Sequence, residues 1–117
     1  MAAHFSWEEM RRLILGASVT DDETRKVISE VFSRYNYYLD PHSAVGWHAA
    51  DKLKENGALA GDDTLIIVST AHPAKFAETV EPLTGPVPVP PSLKKAMERK
   101  VEARCIPPEL EALKECL

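Results

Sequence analysis

Two short segments hold most of the residue types that could do chemistry. The first is Asp40-Pro41-His42-Ser43-Ala44-Val45-Gly46, in which a carboxylate, an imidazole and a hydroxyl meet at the start of a helix pattern. Free backbone donors and the positive end of the helix dipole suit such a place to an anionic group, while the plainer role of Asp40 there is to cap the helix. The second is Ser69-Thr70-Ala71-His72-Pro73-Ala74-Lys75-Phe76, where an apolar run ends and a helix begins. In open α/β sheets ligands bind at the carboxyl ends of strands, so hydroxyls and a His at that point carry functional weight, against the plainer reading of a helix cap with Lys75 solvated. A Ser/His/Asp triad can be written from Ser43 or Ser69 with His72 and Asp40, but the chain has no G-x-S-x-G elbow to support it. His42, His48 and His72 lack the spacing of a metal set, and neither a G-x-G-x-x-G nor a G-x-x-x-x-G-K loop is present to cradle a phosphate. Trp7, Trp47 and the Tyr37-Tyr38 pair read as core or interface.

The elements that must position these residues follow from capping and period. Ser6-Trp7-Glu8-Glu9 is a capping box, and a short helix follows to about Leu15, ended by Gly16. Thr20-Asp21-Asp22-Glu23 repeats the signal ahead of Val27, Ile28, Val31, Phe32 and Tyr35, which recur at three- and four-residue steps. Asp40-Pro41 starts a third helix that runs to about Asn56, with Gly57 as its left-handed cap. The period then changes. Thr64-Leu65-Ile66-Ile67-Val68 reads as a strand over about 64–69 buried on both faces. Pro73 opens a helix whose inner stripe is Phe76, Val80 and Leu83 and which Gly85 closes.

Five of the nine prolines fall between Pro82 and Pro91, so this stretch reads as a stiff surface crossover. Ser92 to about Lys100 reads as helix, an edge strand is expected at about 102–106, and Pro107-Pro108-Glu109 opens a last helix with Leu110, Leu113 and Leu117. The fold class is therefore α/β and mostly helical. A doubly buried strand needs hydrogen-bonding neighbours on both sides, and one weak companion cannot supply them. The strand is expected to pair with another copy, with a partner, or with the rest of a larger α/β protein.

The chain has 117 residues, 27% of them charged, with 14 Lys and Arg against 18 Asp and Glu for a net charge of −4. That fits one segment of ordinary globular size, 1–117, able to bury roughly two thirds of its unfolded surface. With no Lys/Arg block longer than a pair, nucleic acid is not an expected partner. The longest apolar run falls far short of the about 18 residues of a membrane span, and no secretory signal is visible, so the cytoplasm is the expected compartment. Cys105 and Cys116 match no zinc spacing and read as reduced thiols.

Together, Tyr38-Leu39-Asp40-Pro41-His42-Ser43-Ala44-Val45-Gly46 and Ser69-Thr70-Ala71-His72-Pro73-Ala74-Lys75-Phe76 resemble the C-terminal portion of the threonine synthase family, with Ser43 where that family commonly has Thr. The likeness extends through Val80-Glu81-Pro82-Leu83-Thr84-Gly85 to Pro107-Pro108-Glu109-Leu110. It implies a C-terminal fragment of a fold-type II pyridoxal-phosphate enzyme, a lyase that converts O-phosphohomoserine and water to L-threonine and phosphate. It implies that Thr70 is the hydroxyl that meets the pyridine nitrogen of the cofactor, with Asp40, His42, Ser43, Ser69 and His72 lining or supporting the site. The family's Schiff-base lysine and Gly-rich phosphate loop belong to earlier parts of the enzyme and have no counterpart here. Lys75 stands in a different motif, so no catalytic residue is assigned and the chain alone is expected to be inactive. The competing expectation is a non-catalytic α/β interaction module or regulatory subunit that pairs through its exposed strand.

Overall fold

The computed structural model describes residues 6–116. Six α-helices follow one another: α1 (Trp7–Leu13), α2 (Asp21–Tyr35), α3 (Pro41–Glu55), α4 (Ala77–Thr84), α5 (Pro91–Met97) and α6 (Leu110–Lys114), with a 3₁₀ turn at Pro73–Phe76 leading into α4. The N-terminal capping signals fold as the sequence spells them, whereas α1 stops at Leu13 with Ile14 as its extended C-cap, so Gly16 does not end it. Ser6 and Thr20 both accept from the backbone N–H three residues on, while Glu9 and Glu23 reach back to the cap amides. Asp40 caps α3 with Pro41 at its first position, and Gly57 takes a positive φ of 75° just beyond its end.

The core is helical. Val27, Ile28 and Val31 on one face of α2 meet Leu39 and Ala44 from the start of α3, Ala74 from the 3₁₀ turn, Val80 of α4 and Val87 beyond it. Tyr38, Trp47, Phe76, Leu83 and Leu93 pack around that cluster. Tyr37 and Trp7 are exposed instead. Glu23 ties α2 to α3 from outside the core, accepting from Lys52 Nζ at 2.7 Å with His48 Nε2 3.4 Å away, and Lys52 also donates to Ser18 O at 2.9 Å.

Both expected strands are corrected. Residues 64–69 are extended but form no ladder with any described residue, and Ile66 and Val68 are 87% and 73% exposed. A strand exists only through its neighbours' hydrogen bonds, and the described chain contains no second strand to provide them. The alternation of a strand is nevertheless present. Ile67 packs 3.5 Å from the position a Cβ on Gly46 would take, Leu65 and Ile67 border Trp47 and Ala50 of α3, and Ile66 and Val68 face away. Residues 102–106 are likewise exposed and unpaired, α5 stops at Met97 short of Lys100, and α6 spans Leu110–Lys114, with Leu117 outside the described residues. No helix among the described residues is long and apolar enough to cross a membrane.

Candidate functional site

The two motifs meet in space. Asp40 is 1% exposed at the N-terminus of α3. Its Oδ1 accepts from His42 N at 3.0 Å and Ser43 N at 3.3 Å, and its Oδ2 accepts from the Ser43 hydroxyl and from Ser69 Oγ at 3.4 Å. Burial pushes the Asp40 carboxyl up, but the Ser43 hydroxyl together with the Ser43 and His42 amides outweighs it and holds the group below the ordinary 3.8. Asp40 is therefore a buried anion kept ionised by four donors. Ser43 is buried beside it, so both lie beneath the surface that a ligand would meet.

The other residues spread around this anchor. The His42 ring is 67% exposed, with Nδ1 3.4 Å from Asp40 Oδ1 and its centroid 5.3 Å from that of Phe76. His72 accepts from Ala74 N at 3.2 Å through Nδ1 and so caps the 3₁₀ turn, which leaves Nε2 as the protonated nitrogen of the neutral ring. Neither serine bonds His72 among the described contacts, so the written triad is not assembled. Thr70, at the end of the extended segment, is exposed, as is Lys75. No group of three or more His, Cys, Asp or Glu among the described residues is arranged to hold a metal. Cys105 and Cys116 are free and exposed.

A groove of about 290 Å³ runs beside the second motif, with Ser69 and His72 on one side and Tyr37, Tyr38, Val87 and Pro88 among the rest of its lining. Tyr38 Oη donates to Pro86 O at 3.4 Å, and Val87 N donates to Glu81 Oε1 at 3.1 Å, so the Pro-rich crossover is fastened against the core as a groove wall. Sequence reasoning missed this wall. Its signal is the alternation Pro86-Val87-Pro88-Val89, of which Val87 is buried and Val89 exposed. A larger groove of about 520 Å³ lies between α2 and α3, bordered by Lys26, Glu30, Arg34, Asp51 and Lys54, and contains neither motif.

A family model described as "Threonine synthase, C-terminal" matches residues 43–117, well over half of the chain and including the Ser69 to Phe76 motif. The chain belongs to the threonine synthase family. Among curated threonine synthases, that of Pseudomonas aeruginosa is 34% identical over 106 residues, 89% of this chain and 22% of the relative. That of Schizosaccharomyces pombe is 38% identical over 77 residues, 62% of this chain and 14% of the relative. A crystal structure of threonine synthase from Brucella melitensis with pyridoxal phosphate bound superposes with a TM-score of 0.63 at 35% identity, over 82% of this chain and 20% of that one. The chain spans about a fifth of the length of the threonine synthases it matches at greatest extent.

Proposed function

We propose that residues 1–117 are the C-terminal part of a pyridoxal-phosphate-dependent threonine synthase that converts O-phosphohomoserine and water to L-threonine and phosphate. The observation that carries this reading is the joining of the two motifs through Asp40 and Ser69, within a region similar to threonine synthases across both. The residues present fit one edge of the cofactor only. Thr70 carries a hydroxyl donor suited to a ring nitrogen, while Ser69, Thr70 and His72 include neither a lysine nor a backbone nest for a phosphate. When bound, pyridoxal phosphate supplies the electron sink that stabilises carbanionic character on an amino acid substrate. On this reading Thr70 donates to the ring nitrogen, and a neutral hydroxyl leaves that nitrogen largely unprotonated, where a carboxylate partner would protonate it. His72 borders the groove, and His42, with Nδ1 3.4 Å from Asp40 Oδ1, supports the site from beside that carboxylate. The partner is the remainder of the enzyme, and self-association through residues 64–69 is the lesser form of the same pairing. Free thiols at Cys105 and Cys116 suit a cytoplasmic enzyme.

The test is reconstitution. The 117-residue chain mixed with pyridoxal phosphate and borohydride is expected to take up no stoichiometric label, whereas the Brucella enzyme with its matching fifth replaced by this sequence is expected to hold the cofactor and release threonine from O-phosphohomoserine. Stoichiometric labelling of the chain alone, or a folded, cofactor-loaded chimera that makes no threonine, would sink the proposal.

A further inference from the structure

Asp40 accepts more donors than a helix cap requires. Oδ1 alone meets the first amides of α3, as the single side-chain oxygens of Ser6 and Thr20 do for α1 and α2. Those two caps are exposed, and Asp40 is 1% exposed. Taking a carboxylate out of water costs several kcal/mol unless its lone pairs are satisfied, and it is Oδ2, with the Ser43 and Ser69 hydroxyls, that completes the set. Ser69 has one proton and two acceptors at 3.4 Å, Asp40 Oδ2 and Ala71 O, and the ionised carboxylate is the stronger of the two. Among the described residues this is the one hydrogen bond that joins residues 64–71 to the helical core, the rest of their attachment being the packing of Leu65 and Ile67 on α3.

Resting on the reading of Thr70 given above, we infer that Asp40 is a positioning residue: through Oδ2 it holds Ser69, and Ser69 in turn fixes where the adjoining Thr70 hydroxyl points. Asp40 itself touches neither cofactor nor substrate. The geometry separates this role from capping, because Ser69 takes no part in the α3 cap and is itself exposed.

The experiment uses the ¹⁵N-labelled Brucella chimera that carries this sequence. In both Ser69→Ala and Asp40→Asn the backbone order parameter of Thr70 should fall from about 0.85 to below about 0.6 while the amides of α2 and α3 keep theirs, and Ser69→Thr should restore it. A purely structural cap would leave Ser69→Ala silent. The inference is overturned if Thr70 is unmoved by Ser69→Ala, or if it already has the lower value in the unsubstituted chimera. In the Brucella chimera, Ser69→Ala should weaken pyridoxal-phosphate retention about fivefold to tenfold, the effect of one ordinary hydrogen bond, and Ser69→Thr should regain it. An unchanged cofactor absorption band in Thr70→Ala would overturn the reading of Thr70 and leave the Asp40–Ser69 tether standing.

Discussion

Glu23 shows how one residue can serve two elements. Its side chain closes the capping box of α2 through Thr20 and also receives Lys52 of α3, and these contacts, the Lys52 hydrogen bond first among them, hold its carboxyl at about 2 against the ordinary 4.5. A folded-state value below the unfolded one contributes stability that is fully present above about pH 4.5 and is lost as the pH falls towards 2. Asp40, also lowered, adds to the same acid limb as the pH falls below its ordinary 3.8. Thermal melts followed by circular dichroism between pH 6 and 2 are therefore expected to show falling stability below about pH 4.5. Lys52→Met should flatten that limb by letting Glu23 titrate nearer its ordinary value. The carboxylate and the lysine lie 29 positions apart, so no local pattern announces the pair, whereas the capping half of the same residue is written plainly in Thr20-Asp21-Asp22-Glu23. Asp40 was legible in the same partial way: its cap follows from Asp40-Pro41, but its burial and its hold on Ser69 depend on where residues 64–69 come to lie.

Among the elements, α2 bears the packing, against α3 on one side and α4 on the other. Ile28 and Val80 are both fully buried, so Ile28→Ala should cost about 2–5 kcal/mol and Ile28→Val about 0.5–1.5 kcal/mol in urea unfolding. Gly85 ends α4 with φ 81° and ψ −177°, a conformation essentially reserved for glycine, and from there the chain turns into the Pro-rich stretch. Gly85→Ala is expected to cost on the order of 1–3 kcal/mol by the same measurement and to loosen Val87 from the groove wall. The helices were legible because a helix satisfies its own backbone, so a cap and a 3.6-residue stripe suffice to place it. The run Thr64 to Val68 shows the opposite case. Its β-branched residues set the extended conformation and the alternation of Leu65 and Ile67 against Ile66 and Val68, but pairing and burial belong to neighbours that the described chain does not contain. Residues 102–106, with a weaker signal, fare the same.

At the scale of the whole molecule, surface area bears on the partner proposed for this segment. The chain exposes 9584 Å² and has a radius of gyration of 19.4 Å, whereas a compact monomer of its mass should expose roughly 6,300 Å² and measure about 13 Å. The excess, roughly 3,300 Å², is about four times what one partner contributes to a standard interface. A two-fold contact through one extended segment leaves most of that surface in water, whereas enclosure within a protein about five times as long can cover it, which favours the remainder of a threonine synthase over a second copy. Ile66 offers the sharpest test because it is 87% exposed in the chain alone and points away from α3. In the isolated chain Ile66→Lys should change stability by no more than about 0.5 kcal/mol, as an ordinary surface substitution does. In the Brucella chimera the same lysine would be enclosed by the remainder of the enzyme, where an unpaired charge is expensive, so soluble, cofactor-bearing protein should be lost. Light scattering on the isolated chain gives the complementary measurement: association above the 13.0 kDa monomer is expected from the exposed apolar side chains of Ile66 and Val68, and Ile66→Lys should reduce it. A sharply melting monomer whose chimera tolerates Ile66→Lys would mean that the exposed face of residues 64–69 is built for water, and the enclosure argument would fail.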